Sequence, residues 1–158
     1  MSEPMNEAVY LEDLAVGQSF ISGPVELTAE AIKAFAAQFD PQPFHLDEKA
    51  AEASFFKGLA ASGWHTAALT MRLLVAGGPR IGWGYIGAGG EVSWPRPAYA
   101  GDRLTLHGEI LEILPSRSKP DRGFIRVRLV MRNQRGEPVQ DMVARVLVPR
   151  RAAANDPR

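Results

Sequence analysis

The spacing of apolar residues divides the chain into helices near its beginning and strands near its end. Ile32, Phe35 and Ala36 recur at helical spacing. Thr28 is a suitable N-cap before them, so a helix is predicted from Thr28 to about Asp40, where two prolines follow. Two more helices are predicted at residues 48–55 and 62–76, and strands at 18–27, 91–94, 102–114, 123–133 and 138–148.

The third helix and the last strands indicate the fold class. The helix at 62–76 is apolar on nearly every face, with Arg72 as its only charge, which is typical of a buried helix. The strands at 123–133 and 138–148 are joined by a short turn that contains Gly136, and the first of them alternates apolar and charged residues. This pattern favours an α+β fold in which an antiparallel sheet wraps around a long central helix.

Composition adds that the chain is one globular domain. It has 158 residues, of which 46% are apolar and 23% charged, so residues 1–158 are interpreted as a single domain with a core at about 10–149 and frayed ends. The absence of cysteine excludes disulfides, thiolate metal sites and a cysteine nucleophile. No leader or membrane-length apolar run is visible, and the net charge is zero, so we expect a cytoplasmic protein that binds neither membrane nor nucleic acid.

One segment carries the residues of an acid–base pair. Asp40 and His45 lie five positions apart around Pro41 and Pro43, which stiffen the backbone between them. An extended proline-rich loop can direct both side chains toward one point, and a carboxylate beside an imidazole can transfer protons at neutral pH. The alternative is that Asp40 caps a turn and His45 is a hydrogen-bonded loop residue.

A second candidate feature is the beginning of the third helix. The first N–H groups of a helix have no intrahelical acceptor, so the backbone at Gly63 could bind an anion or a developing oxyanion. The alternative is structural, with Ser62 as an N-cap and Gly63 allowing close helix packing.

Together these features resemble the MaoC-like dehydratase family, the (R)-specific enoyl-CoA hydratases of the hotdog fold. The resemblance spans about residues 17–148 and includes a segment at 94–102 that is similar to the family's strand-to-strand connection. The positions that match its motif are Phe35, Ala36, Asp40, Pro43, Phe44, His45, Asp47 and Gly63. The departures are Gln38 and Phe39 in place of Ser/Thr-Gly, Gln42 in place of asparagine, and Ser62 in place of histidine.

The resemblance implies a hydro-lyase that adds water to a 2-enoyl-CoA thioester or removes it from a 3-hydroxyacyl-CoA in fatty acid metabolism. Asp40 and His45 would hold the water, and the Gly63 N–H would polarise the thioester carbonyl. Neither a metal nor a cofactor is expected beyond the coenzyme A of the substrate, and a homodimer or higher homo-oligomer is implied. The expected substrate-contacting residues at this site are Ser62, Trp64, Phe44 and Gln42.

The charge distribution indicates one further contact. Residues 1–58 hold 10 acidic and 3 basic side chains, whereas residues 117–158 hold 4 and 11. The basic loop with Arg117 and Lys119 is a hypothetical contact for the phosphates of coenzyme A, the alternative being a solvated turn.

Two other functions stay open at this point. Many hotdog thioesterases place a catalytic carboxylate on the central helix, but no Asp or Glu occurs between Glu52 and Glu91. A non-catalytic acyl-CoA-binding protein would fit the departures from the motif, although Asp40 and His45 are retained.

Overall fold

Five antiparallel strands form one sheet that curves around a 15-residue helix. The computed structural model describes residues 7–151, and its strand order is β1-β3-β4-β5-β2. The helices are α1 (Ala29–Phe39), α2 (Pro43–Leu46), α3 (Glu48–Glu52) and α4 (Gly63–Gly77). The strands are β1 (Ser19–Glu26), β2 (Ile86–Ser93), β3 (Arg103–Pro115), β4 (Arg122–Arg132) and β5 (Pro138–Pro149).

The sheet has an apolar inner face and a charged outer face, as the alternation in the sequence predicts. Arg126 and Arg128 lie on the outer face and form ion pairs with Glu112 on β3 and Asp141 on β5. Helix α4 contacts β1, β3, β4 and β5 across the inner face. The buried inward residues include Leu104, Leu106, Ile110, Ile125, Val127, Leu129 and Val146.

Helix α4 is the central helix that was predicted, but in a single copy of the chain it is buried on one side only, although its sequence is apolar on nearly every face. Its Thr66, Thr70 and Leu74 face the sheet and are buried, whereas Trp64, Met71 and Val75 on the other side are between 44% and 66% exposed. One curved sheet covers only one side of a helix, so an apolar face remains uncovered.

Local signals place most element boundaries, and two predictions need correction. Thr28 Oγ1 accepts from the Ala31 N–H at 3.1 Å, and α1 ends before Asp40 as predicted. Helix α3, however, ends at Glu52 rather than at 55. Strand β2 begins at Ile86 rather than at 91, because the glycine-rich backbone before Glu91 pairs with β5.

The described ends of the domain contact the rest of the fold and each other. Val9 forms a bridge with Ile81, and Arg150 and Arg151 form ion pairs with Glu12 and Asp13. The acidic beginning and the basic end of the chain therefore bind each other in part. The outermost positions of the predicted frayed ends, residues 1–6 and 152–158, lie outside the described residues.

Candidate active site

Asp40 and His45 are brought together at the end of α1. Asp40 follows the last residue of α1, and His45 lies in α2, where its Nε2 atom is 3.3 Å from Oδ2 of Asp40. The segment is a short helical turn rather than the extended loop that was predicted. Pro43 occupies the first helical position, where a missing N–H costs nothing and its fixed φ suits a helix.

A backbone carbonyl determines which nitrogen of His45 can exchange a proton. His45 is only 5% exposed, and its Nδ1 lies 2.5 Å from the carbonyl oxygen of Ala60. A carbonyl oxygen only accepts hydrogen bonds, so Nδ1 carries a hydrogen and donates it. Nε2 is therefore the nitrogen that can accept and release a proton, and it is the one that faces Asp40.

The surroundings of Asp40 favour its ionised form. Burial raises the pKa of this carboxyl group, but the neighbouring Gln42 and Ser62 side chains, together with the charge that His45 carries when it is protonated, outweigh burial and hold the pKa below its usual value. The Gln42 Nε2 donor lies 2.5 Å from Asp40 Oδ1. Asp40 is consequently a carboxylate at neutral pH, hydrogen-bonded to Gln42.

The beginning of α4 presents a backbone N–H beside this pair. Ser62 is the N-cap and accepts from the Trp64 N–H at 3.3 Å, while the Ala61 N–H donates to the carbonyl of Ala98 at 2.8 Å. Within residues 7–151, the Gly63 N–H has no hydrogen-bond acceptor. It remains available to an oxygen of a bound molecule, with the positive end of the helix dipole behind it.

A cavity of about 460 Å³ joins the two features, since His45 and Gly63 both line it. This size is within the range of small-molecule sites. Most of the remaining wall is aromatic or aliphatic, with one threonine hydroxyl and one arginine. These other lining residues are Phe55, Phe56, Ala61, Thr66, Trp94, Pro95, Arg96, Pro97, Ala98 and Val139.

A buried chain of hydrogen bonds holds the indole of Trp94 in the cavity wall. Trp94 Nε1 donates to Gln140 Oε1 at 2.9 Å, and Gln140 Nε2 donates to Thr70 Oγ1 at 2.7 Å. The Thr70 hydroxyl in turn donates to the carbonyl of Thr66 at 2.8 Å. The indole consequently lies directly on Gly63, where an added Cβ would be 2.5–2.8 Å from three of its ring atoms.

Four predicted substrate-contacting residues lie beside the cavity but do not line it. Gln42 donates a hydrogen bond to Asp40, and Ser62 lies close enough to lower the pKa of Asp40, so both act on the acid–base pair. Trp64 points outward and packs edge-on against Trp94, and Phe44 packs edge-on against His45. Sequence reasoning missed Phe55, Phe56, Thr66, Trp94, Arg96 and Val139 as lining residues, although it singled out the segment at 94–102.

Arg117 and Lys119 are not brought to the cavity in one copy of the chain. Their loop connects β3 to β4 next to the end of β5 at Val148, whereas the cavity reaches β5 at Val139. Nine strand residues at about 3.3 Å each separate these two points by about 30 Å. Among the described residues, the basic residue that does line the cavity is Arg96, which lies in the segment Trp94-Pro-Arg-Pro-Ala98.

Comparison with known proteins assigns the family. Residues 14–142 match a family model described as the FAS1-like, dehydratase domain region. The chain is 55% identical to a MaoC-like dehydratase from Rhodospirillum rubrum, whose crystal structure superposes with a TM-score of 0.89 over 92% of this chain and 100% of that one. The chain belongs to the MaoC-like, FAS1-like dehydratase family. The resemblance drawn from the Asp40, His45 and Gly63 pattern is thus confirmed at the level of family.

Other relatives support the fold and the general activity of this family member. The Bacillus subtilis protein YdeM is 32% identical over 147 residues, which are 89% of this chain and 99% of YdeM. The (R)-hydratase PhaJ1 from Pseudomonas aeruginosa is 28% identical, with a TM-score of 0.73 over 96% of this chain and 95% of that one. The predicted hotdog fold is confirmed, and the family is one of hydro-lyases, which add or remove water.

Two further observations concern metal and membrane. Within the described range, no cluster of three or more His, Asp or Glu side chains is arranged to hold a metal ion. No helix between residues 7 and 151 is both long enough and apolar enough to cross a bilayer.

Proposed function

We propose that this family member adds water to the double bond of a trans-2-enoyl-CoA thioester, or removes it from the 3-hydroxyacyl-CoA, without a metal or a further cofactor. The observation that carries the proposal is the 3.3 Å contact between His45 Nε2 and Asp40 Oδ2 next to a cavity that Gly63 also lines. His45 and a free N–H donor thereby face one cavity, and Asp40, which does not itself line the cavity, contacts this histidine.

The pair can hold the reacting water because both facing atoms are acceptors before reaction. Asp40 is ionised, and a neutral His45 exposes the lone pair of Nε2, so each can accept one hydrogen of the same water. Attack of the water oxygen on Cβ releases one proton to the pair, and one proton is delivered from the pair to Cα. The pair therefore ends with the protonation state in which it began.

The Gly63 N–H supports the same reaction through charge. When water adds to Cβ, negative charge moves to the thioester oxygen as an enolate. A hydrogen bond from an N–H at a helix N-terminus becomes stronger as that charge grows, so it lowers the barrier rather than only binding the substrate. The indole of Trp94 packs on Gly63 and gives this side of the cavity an apolar wall.

Two other functions have less support. A thioesterase that uses a carboxylate on its central helix does not fit, because α4 contains neither Asp nor Glu. A binding protein without catalysis would not need an ionised Asp40 that is hydrogen-bonded to Gln42 and contacts His45.

Crotonyl-CoA distinguishes the three functions in one assay. A hydratase lowers the enoyl absorbance without releasing thiol, a thioesterase releases free coenzyme A, and a binding protein does neither. The proposal predicts the first result at catalytic protein concentration. Release of thiol without hydration, or binding without turnover, would contradict it.

We also propose that two copies of the chain associate as a homodimer. Strand β2 is at one edge of the sheet, with its outer side unpaired in a single copy. The exposed face of α4 carries Trp64, Met71 and Val75, which a partner could cover. Light scattering should give twice the mass of one chain, and Met71→Glu should shift the distribution toward monomer.

A further inference from the structure

Arg96 is the only Lys or Arg among the described residues that line the cavity. It lies between Pro95 and Pro97, and prolines restrict the backbone on both sides of it. No step of the proposed hydration needs a cation at this place. A charged side chain in a mostly apolar wall therefore calls for a role of its own.

The position of Arg96 puts it near the reacting part of a substrate. Two residues before it, Trp94 packs on Gly63, and two residues after it, the carbonyl of Ala98 accepts from the Ala61 N–H. Two residues span at most about 7 Å, so the Cα of Arg96 is within about 7 Å of the Cα atoms of both Trp94 and Ala98. Its side chain can therefore reach a group close to the thioester.

Most of the hydrogen-bonding capacity of Arg96 is unused. Its one ion pair joins Nη1 to Glu137 Oε2 at 3.1 Å, and its side chain is 56% exposed. A guanidinium has five N–H donors in a planar fork that matches two oxygens of a carboxylate or phosphate. Glu137 also accepts from Asn133 and Arg135 on its other oxygen, so it remains paired if Arg96 turns toward a ligand.

We propose that Arg96 is a specificity-determining residue that binds an anionic oxygen group of the substrate, a carboxylate or a phosphate, through its guanidinium fork. The proposal rests on the hydratase function proposed above and deepens it by naming a charged substrate class. A carboxylate at the far end of a short enoyl group is the nearer source, because Arg96 lies beside the residues that hold the thioester. The phosphates of coenzyme A are the second source, at the end of the long pantetheine arm.

Isosteric substrates separate these sources. A trans-butenedioyl thioester is a crotonyl thioester with its terminal methyl group replaced by a carboxylate, and both can be prepared on coenzyme A and on pantetheine. The test variant is Arg96→Met. Its matched control is Arg135→Met, because Arg135 pairs with the same Glu137 and is similarly exposed at 60%, but does not line the cavity.

The expected result is a loss of kcat/KM that is specific to Arg96→Met and to anionic substrates. If the anion is the acyl carboxylate, activity on the butenedioyl thioesters falls about 10- to 100-fold while crotonyl-pantetheine is nearly unaffected. If it is a phosphate, the CoA thioesters lose activity and the pantetheine thioesters do not. Either result supports the proposal. Equal effects of Arg96→Met and Arg135→Met on all four thioesters would overturn it.

Equilibrium binding keeps this test independent of hydration. Succinyl-CoA and butyryl-CoA are saturated counterparts of the two enoyl thioesters, and butyryl-pantetheine is the matching ligand without the phosphates of coenzyme A. Calorimetry can compare the Kd values of these three ligands in wild type and Arg96→Met. Weaker binding of an anionic ligand in Arg96→Met alone would support the role of Arg96 even if no enoyl thioester is hydrated. Unchanged Kd values for all three ligands would overturn that role, even if wild type hydrates crotonyl-CoA.

Discussion

Gly63→Ala tests the close contact that builds the cavity wall. A Cβ at this position would lie 2.5, 2.7 and 2.8 Å from three ring atoms of Trp94, and real Cβ contacts do not occur below about 3.0 Å. The indole must therefore move. Because its Nε1 donates to Gln140 at 2.9 Å, movement weakens the buried chain of hydrogen bonds that continues to Thr70.

The cost of this movement can be worked from the contacts. Adding a methyl group to a closely packed site typically destabilises by about 1–3 kcal/mol. Loss of the hydrogen bond from Trp94 to Gln140 adds about 1 kcal/mol, and the better helix propensity of alanine offsets at most about 1 kcal/mol. We therefore expect Gly63→Ala to lower the free energy of unfolding by about 1–3 kcal/mol, with about 2–4 °C lost from Tm for each kcal/mol.

A double-mutant cycle assigns this cost to the predicted contact. Urea unfolding of wild type, Gly63→Ala, Trp94→Ala and the double variant gives the interaction between the two positions. In the Trp94→Ala background the new methyl group has space, so Gly63→Ala should cost little or should stabilise. An unchanged stability of Gly63→Ala, or an equal cost with and without the indole, would refute the packing argument.

Two predictions concern pH. Burial lowers the pKa of His65 below its ordinary value of 6.5. Below about pH 6.5 the unfolded chain therefore binds a proton that the folded chain does not. The free energy of unfolding consequently falls as the pH drops, by up to about 1.4 kcal/mol per pH unit. The His65 ring stacks on Phe35, and its Nδ1 has no hydrogen-bond partner. His65→Phe should therefore keep the stack and narrow the difference in Tm between pH 7.5 and pH 5.5. An unchanged difference in Tm would contradict this role of His65. Gln42→Leu removes a hydrogen bond that lowers the pKa of Asp40, so the acid limb of kcat/KM should move to higher pH, and an unmoved limb would show that Gln42 does not tune this carboxylate.

Features that depend on neighbouring residues could be predicted from the sequence. Thr28 as a cap, the end of α1 before Asp40 and the turn at Gly136 each follow from side chains within a few positions. The pairing of Asp40 with His45 belongs to the same class, because only four residues separate them. The predicted conformation was wrong there, since Pro43 begins a helical turn, but both conformations bring the side chains together.

Features that depend on distant residues could not be predicted in the same way. The glycine-rich beginning of β2 has low strand propensity and becomes a strand because β5 pairs with it. The apolar residues on the outer face of α4 form the same sequence pattern whether another part of the chain covers that face or leaves it exposed. Local charge alone made Arg117 and Lys119 candidate contacts for phosphate. Only the fold shows that Arg117 and Lys119 lie at the other end of the sheet and that Arg96 lines the cavity.

The roles of Asp40 and His45 can be measured by hydration of crotonyl-CoA by wild type, Asp40→Asn and His45→Gln, with unfolding curves to verify that the variants fold. A positioned acid or base contributes typically about 10²–10⁴-fold, so each substitution should lower kcat by that factor. Because the two groups hold the same water, the double variant should be scarcely slower than the single ones. Hydration at the wild-type rate in either single variant would contradict the assignment of Asp40 and His45 as the acid–base pair.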